Sequence, residues 1–450
     1  MFLGSDFAAR GFRLALVSVW IAAAAIPLAA QTQRKTSATP GTTASPQEKT
    51  DPLASLLQQA NEAIDKMDFA AALDPLQKYI SQRPDEPYPH FQLGYAFSGL
   101  KRLQDAKTEF SRAISIDPKM AAAHLNLGLV LIDSDPAAAA EAFRHAAELQ
   151  PAESRPRFLG GYSLEHAGKF PEAVEQYRAA LALSPKDYEA HFALGRVLLR
   201  SDDATGAEEQ FRAAIAVRAD AAPAKLGLGS ALLAQKKYEA AADALAEYLK
   251  LNPADRSAHF DRASALLQIS RYDEALGELE RSDTGGTPST DTLKMRGEIY
   301  MQQKKWKEAG DTLKQAMAAS PQDAELAAWI GRVDIELHDY PAAVGILAQV
   351  QARNPQDADA LRDLADAFYL NGNYSSALEA MDRLAKLETP KPGSWFVRAI
   401  CYDKLSRKAE AIEAYQKFLD LDGGQHDTQD FQARHRIPVL QRELGQSKKK

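Results

Sequence analysis

Four histidines share one phase of the chain. His90, His124, His191 and His259 each stand at the same step of a recurring pattern, and imidazole nitrogen is a common zinc ligand. Zinc needs its ligands to converge to about 2 Å from one ion. Equivalent residues on successive helix pairs stand about 20 Å apart, given helix spacings of 8–10 Å. The regularity that makes these histidines conspicuous therefore makes them packing residues. His426 and His435 fall on a junction and a terminal cap, with no partner at ligand spacing. The single cysteine, Cys401, stands between Ile400 and Tyr402 in an apolar helical stretch. It can form no intrachain disulfide and reads as a small buried hydrophobe. No phosphate-cradling glycine loop, nucleophile elbow, paired-cysteine zinc motif or calcium loop is present. The acidic residues form no pair distinguishable from solvated helix faces. The chain is expected to be no enzyme and to carry neither metal nor cofactor.

The elements that place those histidines repeat. Alanine returns at 72, 106, 139, 173, 207, 241, 275, 309, 343, 377 and 411, in equal steps except for a single shorter one. Twelve residues before them, allowing for one deletion, stand Ala60, Gly94, Gly128, Gly161, Gly195, Gly229, Ala263, Gly297, Gly331, Ala365 and Ala399. Two small residues at fixed phase in such a period mark stacked helix–turn–helix units. In the unit from Pro87, Leu93, Gly94 and Phe97 are followed by Ala106, Phe110, Ala113 and Pro118. The small residues let two backbones approach, the rings fill the space around them, and proline stops the second helix. Aromatics at Phe69, Phe170, Tyr238, Tyr272, Trp306, Tyr340 and Tyr374 are placed before the second helix, packing the turn.

This pattern resembles the tetratricopeptide-repeat family. Eleven units run from Leu53 to about residue 425, starting near 53, 87, 121, 154, 188, 222, 256, 290, 324, 358 and 392. The unit from 121 is one residue short, and the unit from 256 ends in a softer joint at 283–289, a candidate hinge around Gly285-Gly286. The expected fold is an all-α solenoid of antiparallel helix pairs over residues 51–426, with one continuous core between neighbours. Residues 427–450 are expected to form a capping helix and basic tail, with Pro438 making it kinked or two short helices.

The first fifty residues read as an address. Arg10 and Arg13 precede an apolar run from Leu14 to Ile26 and the small-residue exit Pro27-Leu28-Ala29-Ala30, the layout of a secretory signal peptide over 1–30. The alternative is a retained inner-membrane anchor, since Leu14 to Ala30 is at the lower limit for a span. Residues 31–50 are rich in Thr, Ser, Pro and Gln and are expected to be a disordered spacer. Export places the mature chain in the periplasm or outside the cell; membrane contact is expected only if the apolar segment is kept.

The resemblance also assigns a binding face. In the family, positions 2, 5, 9, 12 and 13 of each first helix line a concave groove. On this chain those positions hold Tyr88, Phe91 and Tyr95, then Arg155, Phe158, Tyr162, Glu165 and His166, then Phe192, Arg196 and Arg200. Farther on they hold Phe260, Gln268, Glu298, Arg332, Glu336, Arg362, Asp366, Tyr369, Phe396, Asp403 and Lys404. The first half is aromatic with arginines, suited to an extended apolar or acidic peptide. The second alternates Arg332 and Arg362 with Glu336 and Asp366. The net charge of −7 disfavours nucleic acid, whose binding needs many cations facing phosphates. The reading is an exported scaffold for protein or peptide partners. The alternative is a repeat component of cell-envelope biogenesis or polysaccharide export, where the groove meets glycans or assembly components.

Overall fold

The computed structural model describes residues 52–284 and 286–447. The expected signal segment, the spacer at 31–50, Gly285 and the terminal Lys448–Lys450 lie outside the described residues. Twenty-three helices and no strand occur among those described. They form consecutive pairs: α1 Pro52–Asp65 with α2 Phe69–Gln82, α3 Pro87–Gly99 with α4 Leu103–Ile116, and α5 Ala121–Leu131 with α6 Pro136–Leu149. Next come α7 Ser154–His166 with α8 Phe170–Leu183, α9 Tyr188–Arg200 with α10 Ala204–Val217, and α11 Ala222–Ala234 with α12 Tyr238–Leu249. The chain divides into two compact units after Asn252. The second holds α13 Arg256–Gln268 with α14 Tyr272–Asp283, α15 Thr290–Gln302 with α16 Trp306–Ala319, and α17 Ala324–Glu336 with α18 Tyr340–Arg353. It ends with α19 Ala358–Leu370 and α20 Tyr374–Leu384, α21 Pro392–Lys404 and α22 Lys408–Asp422, and the single helix α23 Asp427–Ser447.

Local chemistry sets the boundaries. Asp68, Asp135, Asp187, Asp203, Asp255, Asp323, Asp339 and Asp357 each accept a backbone N–H from the first turn of the helix they precede, satisfying a donor the helix leaves open. The aromatics expected just before the second helices are their first residues instead: Phe69, Phe170, Tyr238, Tyr272, Trp306, Tyr340 and Tyr374. Within every pair but α5/α6 the reversal uses one left-handed residue, which in α1/α2 is Met67 at φ 56°. Lys101, Asp202, Lys236, Ser270, Lys304, His338 and Ser406 have φ of 56–61°, and Gly168 and Gly372 take the same place. The short pair α5/α6 lacks this residue; Ile132 after α5 stays right-handed, so the missing residue comes out of the turn.

A large side chain lying on a glycine closes seven of the eleven pairs; Ala60, Ala263, Ala365 and Ala399 take the glycine's place in the others. A Cβ added to Gly94, Gly161 or Gly195 would meet the ring of Phe110, Tyr177 or Phe211 at 2.9–3.0 Å, and one on Gly128 would meet Phe143 at 2.6 Å. Leu245, Leu313 and Leu347 occupy the same place over Gly229, Gly297 and Gly331. Tyr177, Phe110, Phe143 and Phe211 are among the largest fully buried side chains. Between pairs, Leu93 joins Leu76 and Ala72 of α2 in one cluster, and Ile330 joins Ala309 and Leu313 of α16 in another. Helix α23 packs Ala433, Ile437 and Leu440 against Phe418 and Tyr415 of α22 and includes Pro438 without interruption.

In both units the first helices of adjacent pairs approach one another more closely than the second helices do, as in α7 with α9 or α17 with α19. First helices therefore line the inner side of each stack.

Three glycine substitutions separate the causes. Gly195→Leu drives a side chain into the buried Phe211 ring and should cost about 1–3 kcal/mol, with protection lost in α9, α10 and their neighbours only. Gly372→Ala meets no atom within 4 Å but must hold φ of 78°, which should cost about 1 kcal/mol. Gly345→Ala, inside α18 and equally unobstructed, should stabilise by about 0.5–1 kcal/mol. Chemical denaturation with hydrogen exchange reads all three; the account fails if Gly345→Ala and Gly372→Ala shift stability in the same direction.

Candidate partner-binding face

The rings that lie on the glycines are also in contact with several of the residues assigned to the groove. Phe158 lies 5.7 Å from Tyr177 and Phe192 lies 6.0 Å from Phe211, centroid to centroid. They are only 8% and 7% exposed. These two belong to the core, not to the open face assigned from sequence, because each must fill the space beside the large ring of its own second helix. Phe91 makes the same contact with Phe110 at 5.8 Å but stays half-buried. Tyr95 is half-buried against Phe69.

What remains on the face of α7 and α9 is polar and aromatic. Glu165, buried in α7, accepts the Tyr177 hydroxyl at 3.0 Å and Arg196 Nη2 at 2.7 Å. Arg200 Nη1 stands 4.0 Å away, and its guanidinium covers the Phe170 ring at 4.9 Å. The rings of Tyr162 and His166 are 4.3 Å apart. Burial works against the Arg196 charge, yet Glu165 outweighs it and raises that pKa. Burial, then the Glu165 charge, pushes Tyr177 well up. Burial lowers Arg155. Glu165 therefore ties three helices together, and two arginines share its single charge.

In the second unit the expected alternation of signs resolves into pairs. Arg332 binds Asp363 at 2.6 Å, and Arg362 binds Asp359 at 2.6 Å and Glu388 at 2.8 Å. Lys294 binds Asp323 and Glu325, and Arg436 holds Asp403 with two nitrogens. Asp261, Glu298, Glu336 and Asp366 make no ion pair among the described residues. Burial, then the Asp255 charge, pushes Asp261 up to about 6. Burial, then Asp363, does the same to Asp366. Asp366 keeps an exposed edge, so water reaches it and its weight in stability is smaller than that of Asp261. Burial, then Glu325, raises Glu298.

The four phased histidines are structural locks. Nε2 of His90, His124, His191 and His259 donates to the carbonyl of Pro84, Pro118, Pro185 and Pro253, each at 3.0 Å. Nδ1 faces Glu109 in the first case, Gln210 in the third and Glu278 in the fourth. His426 is fixed too, through its imidazole and backbone N–H on Asp422. Cys401 is buried, and burial pushes its thiol up to about 11.

Models of the tetratricopeptide repeat match residues 91–154 and 300–357. The middle TPR-like domain of cilia and flagella-associated protein 70 matches 162–293, and anaphase-promoting complex, cyclosome, subunit 3 matches 336–418. The fold is a tetratricopeptide-repeat solenoid. Similar solved structures include MamA 41-end from Desulfovibrio magneticus RS-1, 22% identical over 39% of this chain and 99% of that one, with a TM-score of 0.36. YrrB, described as a TPR protein with an unusual peptide-binding site, is 19% identical over 44% of this chain and 100% of its own, with a TM-score of 0.38. The APC/C hetero-tetramer Cut9-Hcn1 covers 86% of this chain and 96% of its own at 13% identity, with a TM-score of 0.38. No curated protein matches the chain.

Sequence reasoning passed over position 7 of the repeats. Leucine or isoleucine stands there at Leu93, Leu127, Leu194, Leu228, Ile330 and Leu364, but arginine at Arg262, Arg296 and Arg398. All three arginines pair with acids: Glu278, Asp283 and Asp382. The signal was present as a charged residue at a core phase.

The raised carboxyl of Asp261 gives a signed prediction. Its ordinary value is 3.8 and its folded value about 6, so the stability it contributes is fully present below pH 3.8 and lost as pH rises through about 6. Asp261→Asn should therefore raise the unfolding midpoint at pH 7.5 and leave it unchanged at pH 3.5. Denaturation at both values checks this; an equal gain at each would refute burial of the charge as the cause.

Proposed function

We propose that the chain is an exported scaffold that holds extended segments of partner proteins on the inner face of its first unit. One observation carries this reading. Glu165 is buried under Arg196, Arg200 and Tyr177, so positive charge remains beside the partly exposed Tyr162–His166 ring pair. A segment with carboxylates next to apolar side chains complements that patch: guanidinium groups take carboxylates with directed hydrogen bonds, and tyrosine supplies contact area at low entropic cost. The second unit favours the opposite sign, since Lys294, Arg332, Arg362 and Arg436 are already paired while Asp261, Glu298, Glu336 and Asp366 make no ion pair among the described residues. Arg332 and Arg362 act there as supports for the face.

Export rests on Arg10, Arg13 and the Leu14–Ile26 run; among the described residues no helix is long and apolar enough to cross a membrane.

The binding test uses partners captured from envelope extracts, with the tightest titrated against Tyr162→Ala and Arg200→Ala after each variant is shown to be folded. Tyr162→Ala should weaken affinity about 30-fold, the cost of about 2 kcal/mol at an aromatic anchor. Arg200→Ala should slow association and flatten its salt dependence. Unchanged binding in both would remove this face. Intact mass and N-terminal sequencing of the native protein test export; a chain starting at Met1 in the soluble cytoplasm would exclude it.

A further inference from the structure

We propose that the inner face of the first three repeats holds an uncharged oligosaccharide against Tyr88, with Asn61 and Gln92 as its hydrogen-bonding partners. Three side chains meet there. Gln92 on α3 is 5% exposed, and its Nε2 donates to Asn61 Oδ1 on α1 and to the Tyr88 hydroxyl oxygen at 3.2 Å. Both hydrogens of that amide are thereby used. Asn61 Nδ2 and the Tyr88 O–H still have hydrogens to give, and no acceptor among the described residues takes them. Gln92 Oε1, bonded to the same carbon as Nε2, is buried without a hydrogen-bond partner. An acceptor left in that state costs stability that an incoming donor restores. Burial, then the Asp65 charge, raises the Tyr88 pKa, so its hydroxyl keeps its proton.

What surrounds these atoms is aromatic and uncharged. At positions 2, 5, 6, 9 and 12 of the first three repeats no residue carries a charge; Asp65 and Asp133 stand beyond them, at the helix ends. The Tyr88 and Phe91 rings are near-parallel, 28° apart in plane with centroids 6.5 Å apart, and both are half-buried. Tyr95, two turns further along α3, meets the Phe69 ring edge-on at 5.9 Å. The next first helices differ sharply: positions 2 and 12 of α7 and position 9 of α9 are Arg155, Glu165 and Arg196. The inner face of the first unit therefore has a neutral section and a charged one, and the neutral section does not depend on the reading given to α7 and α9.

Such a set fits a sugar ring. A pyranose carries C–H groups on its faces, which lie against the electron-rich face of an aromatic ring. Its rim carries hydroxyls, each able to give and to accept a hydrogen bond. A rim hydroxyl that takes a hydrogen from Asn61 or Tyr88 and, with a turn of the Gln92 amide, gives its own to Oε1 completes the network. An extended main chain would need fresh partners on every helix it crosses. The amide at the phase of Gln92 on α5, Asn126, is instead turned back on its own helix, donating to the Ala122 carbonyl at 2.8 Å. Polar groups gathered at one point beside a ring favour the sugar.

Calorimetric titration of the full chain tests it. The probes are cellohexaose, maltohexaose, mannohexaose and chitohexaose, all uncharged, beside an uncharged Ser/Gln/Pro peptide. At least one hexasaccharide should bind, and Asn61→Ala and Tyr88→Ala should each weaken that binding about tenfold or more. Gln92→Leu separates recognition from packing. It removes the orphaned acceptor at similar volume, so the unfolding midpoint should rise while binding falls about tenfold or more. A folded Gln92→Leu variant that binds as tightly as the unsubstituted protein overturns the site. A lowered midpoint would make Gln92 a structural residue and overturn it as well. Failure of all four sugars, or binding of the peptide alone, overturns the choice of ligand. The outcome with Tyr162→Ala bears on the protein-binding reading alone.

Discussion

The contact of a large buried side chain with a glycine of the same repeat is the constraint on which the remaining structure depends. Where Gly195 meets Phe211 or Gly161 meets Tyr177, no side chain fits between the helices. That closeness fixes the pair as a rigid piece, and the piece presents a set of positions to its neighbours. It also decides the fate of the inner-face rings. Phe158 and Phe192 lean on Tyr177 and Phe211, so the aromatic wall expected of a groove is partly the outer layer of the core. Chemistry available to a partner is thereby left to the longer, polar-tipped side chains around them.

Much of this was legible in the chain, and the limits have a physical origin. Periodicity located the helix pairs because burial imposes one phase on every repeat, and a glycine opposite a ring leaves a mark in sequence. Direction within a helix was harder to read. Position 5 faces both the groove and the core. Whether a phenylalanine there is wet is set by its three-dimensional surroundings: Phe158 beside Tyr177 and Phe192 beside Phe211 are buried, while Phe91 beside Phe110 is half-buried. The acid–arginine alternation failed for a related reason. Arg332 and Asp363 belong to successive repeats yet lie 2.6 Å apart in space, so a one-dimensional reading shows two signs where the fold leaves a neutral pair. What survived as net charge was set by pairing across repeats.

The two units solve the stacking problem with different materials. In the first, position 7 carries Leu93, Leu127, Leu194 and Leu228, and apolar area supplies the cohesion. In the second, Ile330 and Leu364 keep that role, but Arg262 and Arg296 at the same phase bring carboxylates into the core at Glu278 and Asp283. A buried ion pair contributes less net stability than packed hydrocarbon of similar volume, although losing one partner is costly. The exchange trades cohesion for directional bonds.

The histidine locks carry a consequence for how such a chain is made. Each of these proline carbonyls, at the close of one repeat, finds its donor on the repeat that follows, as Pro84 does with His90 and Pro185 with His191. During synthesis, when the chain emerges from its amino end, a finished repeat exposes that acceptor until its successor arrives. Completion thus propagates in the direction of translation. At each of these boundaries the growing edge of the array carries one carbonyl whose water partner is replaced by an imidazole once the sequence continues correctly.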